Sequence, residues 1–166
     1  MSFKRILIGK LILSFFLISS SYSLENKIIL KIDEDIVTSI DIQNEAKYLS
    51  ALNPKIMELE DAKIFEISKK SLIREKIKKI EILKNAKNPE LNDDLLNKII
   101  ENKYKSLGLK TRNDFVIYLE NFNVEIDTVE EKIKIETLWN QLIFFKFSKN
   151  IKINKNNLIK KIKTNK

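Results

Sequence analysis

Residues 62–87 form the longest uninterrupted helical pattern in the chain. Apolar residues recur there at steps of three and four, which places them on one face of a helix with 3.6 residues per turn. Pro89 then forbids continuation of the helix. A helix of this length needs other helices to cover its apolar stripe, so the pattern predicts a packed helical fold. The stripe consists of Phe65, Leu72, Ile73, Ile77, Ile80 and Leu83.

The rest of the sequence predicts a short β-hairpin followed by about five helices. Residues 27–32 alternate apolar and polar side chains, and residues 36–38 follow an acidic turn, as expected for two paired strands. Residues suited to helix N-caps begin the later helices; they are Thr38, Asn92, Thr111 and Asp127. We therefore expect a mainly α fold in which the helices pack as an irregular bundle.

The composition excludes most kinds of active site. The chain has only 2 Gly and 2 Pro and contains neither a GxGxxG nor a Walker motif. It has no His, which removes the commonest general base and metal ligand. It has no Cys, which removes disulfides, a thiol nucleophile and a Cys-based zinc site. We expect no enzyme activity, no catalytic residues, no bound metal and no cofactor.

The positive net charge does not predict a nucleic-acid partner. The chain carries 31 basic and 23 acidic residues, a net charge of +8. Nucleic-acid sites combine clustered basic side chains with arginine and aromatic residues. Here lysine is spread over ordinary surface faces, and arginine occurs only at Arg5, Arg74 and Arg112. The charge is best interpreted as a general bias in residue usage.

The first 23 residues have the organisation of a secretory signal peptide. Lys4 and Arg5 precede an apolar core at residues 11–18, and small residues then mark a cleavage site between Ser23 and Leu24. The apolar core is shorter than the ~20 residues that a membrane-spanning helix needs, so no stable membrane insertion is expected after cleavage. Retention as an uncleaved anchor is the alternative. In either case the chain is exported, which in a bacterium means the periplasm.

The mature chain divides into a helical domain at residues 24–153 and a basic tail at residues 154–166. The last predicted helix runs to about Lys149, and its stripe includes Val129, Ile133, Leu138, Leu142 and Phe145. The charge run of the tail is most simply a solvated face.

Further apolar residues at the end of the last helix are the best candidates for a binding site. Trp139, Ile143, Phe144 and Phe147 lie on other faces than the stripe, and a helix that is apolar nearly all round is either buried or a binding surface. Met57 lies in the connector before the central helix, and its flexible thioether suits variable apolar partners. Burial in the core is the default interpretation for all five residues, and a peptide-binding surface is the alternative.

The order and capping of these elements resemble the N-terminal domain of the SurA family. Residues 26–52, NKIILKIDEDIVTSIDIQNEAKYLSAL, resemble its opening hairpin and Thr/Ser-capped helix. Residues 91–143 resemble the helices that follow, with one helix ending near Gly, a capped short helix with Phe, and a capped long helix. The resemblance extends over residues 26–153. It consists of caps and apolar positions and includes no catalytic motif.

The resemblance implies an ATP-independent periplasmic chaperone. Its partners would be unfolded or nascent outer-membrane proteins and the outer-membrane assembly machinery. Members of the family add parvulin-type prolyl isomerase domains, whose sites rely on histidine. This sequence has no such domain and no His, so we expect no isomerase activity. A peptidyl-prolyl isomerase, which the resemblance alone would suggest, is the lesser alternative. The alternative is a non-catalytic structural or interaction domain of the cell envelope, a homodimer formed through the surface between Trp139 and Phe147.

Overall fold

The computed structural model of the protein describes residues 26–86 and 89–148. It confirms the predicted fold class, a mainly helical fold in which a β-hairpin precedes five α-helices. The predicted signal peptide with its cleavage site at Ser23 and Leu24, and the basic tail, lie outside the described residues. The elements are β1 (Ile28–Ile32), β2 (Asp35–Thr38), α1 (Ser39–Leu52), a 3-10 helix (Pro54–Glu58), α2 (Asp61–Asn85), α3 (Asp93–Ser106), α4 (Arg112–Glu120) and α5 (Ile126–Phe147).

Local hydrogen bonds account for where the hairpin turns and where several helices begin. The strands are antiparallel, with Ile32 opposite Asp35, and Asp33 takes the left-handed conformation (φ 55°) that Asp tolerates in a turn. Thr38 and Thr111 cap α1 and α4 with complete capping boxes. Asn92 caps α3.

The N-terminus of α5 differs from the prediction. Asp127 was expected to cap this helix, but the structure places Glu125 at the N-cap position and Asp127 inside the first turn. Glu125 makes no side-chain capping bond. Asp127 is still well placed, because a negative charge in the first turn interacts favourably with the helix dipole.

The larger of two core clusters joins α1, α3, α4 and α5. Phe115 and Leu119 are fully buried at its centre. The Tyr118 hydroxyl donates to the Ala51 carbonyl at 2.8 Å, which ties α4 to the end of α1. The smaller cluster packs the hairpin against α1 and α2; its buried members are Val37, Ile42 and Leu72.

The face that α2 buries is not the predicted apolar stripe. Within that stripe Leu72 is buried, but Phe65, Ile77 and Leu83 are exposed. The buried side of the helix is instead centred on Ser68 and Leu72. The apolar residues of α2 extend over more than one face, and its neighbours cover only one of them.

Helix α5 meets α2 through a row of ion pairs. The pairs are Glu75 with Lys132, Lys78 with Glu136, and Lys79 with Glu131. Because Glu75 pairs with Lys132 and, about one turn later on both helices, Lys78 pairs with Glu136, the two helices run in the same direction. Their C-terminal ends therefore lie at the same end of the molecule.

We expect Phe115→Ala to lower the free energy of unfolding by about 3–5 kcal/mol, because it opens a cavity in a fully buried aromatic site. The measurement is urea unfolding followed by circular dichroism. Ile117→Ala is the matched control, since Ile117 lies on the same helix with 54% of its surface exposed, and it should change stability by no more than about 0.5 kcal/mol. Equal effects of the two changes would contradict this core assignment.

Candidate functional site

The C-terminal turn of α5 presents aromatic side chains to solvent. Phe144 is 72% exposed and Phe147 is 50% exposed. Both belong to the residues that the sequence singled out. Phe145, which the sequence assigned to the stripe with core residues such as Ile133, is 76% exposed. That expectation was wrong because no described element covers this turn of α5.

Trp139 and Ile143 lie just before this turn and are half-buried. Helical periodicity places Ile143 and Phe147 on one line along α5. Four of the five candidate residues thus lie in the last nine residues of this helix, about two and a half turns.

Met57 lies apart from these four residues. It is exposed on the 3-10 helix between α1 and α2, next to the start of α2. Because α2 and α5 are parallel, that start and Phe144 lie at opposite ends of the helix pair, on the order of 35 Å apart at 1.5 Å per residue. Met57 and the aromatic turn therefore do not form one continuous groove.

An apolar cleft of about 540 Å³ lies between the C-terminal half of α2 and α5. Ile82, Leu83, Ile135 and Leu138 provide its apolar lining, together with Pro89. On α5, Leu142 and Phe145 continue the line of Leu138 at helical spacing. The sequence analysis placed Leu83 and Leu138 in core stripes and so missed this cleft.

A second cleft, of about 580 Å³, is polar and lies between α2, α3 and α5. We call it the polar cleft. Helix α2 contributes Ser71, Arg74 and Lys78 to its lining, and α3 contributes Lys103. Helix α5 forms the floor with Ile133, Glu136, Thr137 and Asn140, and the inner end is lined by Glu45, Tyr48, Glu75 and Lys132.

Lys132 connects three helices at the inner end of the polar cleft. Its Nζ lies 2.7 Å from Oε2 of Glu45 on α1 and also contacts Oε2 of Glu75 on α2. It stands 4.9 Å from the centre of the Tyr48 ring, within cation–π range. Glu45 is 2% exposed and the Lys132 side chain is 12% exposed, so this is a buried ion cluster.

Burial and charge shift the protonation equilibria in this cluster. Burial alone would lower the pKa of Lys132, but the charges and hydrogen-bond acceptors of Glu45 and Glu75 outweigh it, and the pKa is raised. Burial, and then the negative charges of Glu45, Glu75 and Glu136, raise the pKa of the Tyr48 hydroxyl. Lys132 is therefore positively charged and Tyr48 neutral at physiological pH.

The spacing of residues on α1 contains a signal for this cluster, although no pattern in the sequence identifies all of its members. Glu45 lies three residues after Ile42 and Tyr48 three residues after Glu45. This spacing places Glu45 on the apolar face of α1, where a charged residue needs a partner. Nothing in a single sequence identifies that partner as Lys132, because 87 positions separate them.

Within residues 26–86 and 89–148, no group of three or more acidic side chains is arranged to hold a metal ion. In the same part of the chain, no helix has the length and apolar character required to span a membrane. Comparison with known proteins gives no matching family model, no matching curated protein and no matching solved structure.

We expect Lys132→Met to lower the free energy of unfolding by about 3–5 kcal/mol at neutral pH, because it leaves two carboxylates without their shared counter-charge. Glu45→Gln should have a much smaller effect, since Lys132 then pairs one-to-one with Glu75. Urea unfolding of the three proteins measures both. A Glu45→Gln variant less stable than Lys132→Met would contradict this account.

The pH dependence of the same comparison follows from the pKa of Lys132. Because the pKa of Lys132 is higher in the folded protein than its ordinary value of 10.5, its charge stabilises the fold. This stabilisation is complete below pH 10.5 and disappears as the pH rises through the pKa of Lys132 in the folded protein. The stability difference between wild type and Lys132→Met should thus be constant from pH 7 to 9 and shrink above about 10.5. A difference that vanishes already at pH 8 would show that Lys132 is not held as a charged group.

Proposed function

We propose that this protein is an ATP-independent chaperone of the periplasm that binds unfolded outer-membrane proteins through apolar surfaces at the C-terminal end of α5. The observation that carries the proposal is the exposure of Phe144, Phe145 and Phe147 on a single helical turn. Soluble monomers rarely expose a contiguous apolar patch larger than roughly a few hundred Å² unless it binds a partner. The predicted export signal and the resemblance to the SurA family support the choice of partner.

Two lines of apolar side chains lead into this turn. One runs from the apolar cleft through Leu138 and Leu142 to Phe145. The other passes from the polar cleft through Ile143 to Phe147. A helix that offers apolar residues on two faces can contact an extended chain on either side, which suits clients of differing sequence.

The expected affinity is compatible with a carrier that releases its client. Burial of ~300 Å² of apolar surface at ~25 cal/mol per Å² contributes about 7 kcal/mol. The ordering of the client and the loss of its translational freedom oppose this term. A micromolar complex needs a net ~8.2 kcal/mol, so a patch of this size gives binding weaker than micromolar, and no nucleotide-driven step is needed for release.

Aggregation of an unfolded outer-membrane β-barrel protein, followed by light scattering, tests this proposal. The purified chain should suppress aggregation at a few-fold molar excess. The double variant Phe144→Ser/Phe147→Ser should lose most of this effect without losing helix content, because both side chains are exposed. Ile117→Ser is the control, since it removes an apolar side chain of similar exposure on α4.

Fluorescence of Trp139, the only Trp in the chain, reports binding directly. A saturable spectral change with an aromatic-rich unfolded peptide is expected for the wild type and should be much weaker for the double variant. Absence of both the spectral change and aggregation suppression would reject the chaperone. If light scattering of the free protein then shows a dimer that Phe147→Glu dissociates, the surface is a homodimer interface of an envelope interaction domain.

A further inference from the structure

The polar cleft has an excess of negative charge at its inner end. Glu45 and Glu75 share the single ammonium group of Lys132, which leaves one carboxylate charge uncompensated by that group. Both carboxylate oxygens of Glu45 are buried and neither accepts a hydrogen bond of regular geometry from the described residues. Oε2 lies 2.7 Å from Lys132 Nζ, whereas Oε1 takes no part in that ion pair. A buried carboxylate oxygen without a donor is costly, so this end of the cleft favours an additional donor.

The outer part of the same cleft has the opposite charge. Arg74 of α2 and Lys103 of α3 line the cleft, and both are more exposed than Glu45. Within the described residues, neither forms an ion pair or a side-chain hydrogen bond, whereas Lys78 beside them is paired with Glu136. A bare cation approaching Glu45 would be repelled by these two groups, and a bare anion held by them would leave the inner carboxylate unsatisfied.

We propose that the polar cleft is a binding site for an amphoteric ligand, with a primary ammonium group at Glu45 and Glu75 and a carboxylate between Arg74 and Lys103. The cleft volume of about 580 Å³ is in the range of small-molecule sites. Two sources present this chemistry: a free amino-acid-like molecule, and a peptide with a lysine side chain next to an acidic one. The site is separate from the aromatic turn and does not depend on the chaperone proposal.

The ligand ammonium complements the cluster rather than displacing Lys132. Lys132 uses one oxygen of each carboxylate, Oε2 of Glu45 and Oε2 of Glu75. A second ammonium at the remaining oxygens would give two cations for two anions, which is the balance that a buried ion cluster requires. Glu75 is partly exposed and offers the approach to the more deeply buried Glu45.

Titration of the full chain with 6-aminohexanoate, hexylamine and hexanoate, followed by amide NMR shifts, tests the site. The three probes share a six-carbon chain and differ only in which end groups they carry. The amphoteric probe should bind saturably at least ten-fold tighter than either single-ended probe, with shifts confined to residues that line the cleft. Equal binding of hexylamine, shifts elsewhere, or no saturation would overturn the proposal and leave water as the partner of Glu45.

Two variants separate the ends of the site. Glu45→Gln should weaken 6-aminohexanoate at least ten-fold, and Arg74→Ala/Lys103→Ala should remove its advantage over hexylamine. Lys70→Ala/Lys98→Ala is the control, because it removes the same charge from the same two helices at exposed positions outside the cleft. If Glu45→Gln fails to fold, Arg74→Ala/Lys103→Ala still decides the outcome. A double variant that still binds 6-aminohexanoate more tightly than hexylamine, by the same factor as the wild type, would refute the site.

A blocked Lys-Glu dipeptide distinguishes the two sources. Binding of this peptide, lost when its lysine is replaced by glutamine, would identify a peptide segment as the ligand. Binding of 6-aminohexanoate without binding of the peptide would identify a small free molecule. Neither result bears on the aggregation assay. The ligand-binding proposal for the polar cleft and the chaperone proposal can therefore be rejected independently.

Discussion

The ion cluster of Lys132 with Glu45 and Glu75 is the contact on which the arrangement of the long helices depends. It joins α1, α2 and α5 at one point. Because Glu45 and Lys132 are buried, separating them would leave charges that neither water nor a partner compensates. Charge pairs have directional requirements that apolar contacts lack, so this cluster fixes the register of α5 along α2. The pair Lys78–Glu136 continues that register towards the C-terminal ends of both helices. Lys79–Glu131 adds a further ion pair between the same two helices.

Because charged side chains occupy much of the contact between α2 and α5, apolar residues of both helices point elsewhere. Leu83 and Leu138 line an open cleft instead of a sealed interface. Ile77 is exposed on a face of α2 that no described element covers. An interface built on apolar residues would have buried them, so the accessible apolar surface is a consequence of how these two helices are held together.

The sequence was sufficient for the fold class and for several helix starts, because these depend on local chemistry. Thr38 and Thr111 each have an Asp three residues later. A capping box consists only of these two residues and their backbone groups, so it does not depend on residues far along the chain. Which face of α2 is buried depends instead on neighbours far along the chain. Apolar residues on α2 occupy several faces, so periodicity alone could not choose between Leu83 and Ser68. The same reason explains Phe145, whose spacing from Leu138 fits a core stripe although no described element covers it.

The two ends of α5 have different roles in the structure. Its N-terminal half is fixed by Val129 and Ile133 in the larger core cluster and by Lys132 in the ion cluster. Its C-terminal half carries the exposed aromatic residues. A binding surface on a helix whose other half is anchored in this way keeps its position without support from a ligand, and little conformational entropy is lost when a partner binds. Under the proposed function, the buried charges at Lys132 contribute indirectly, since they anchor the half of α5 that precedes the exposed turn.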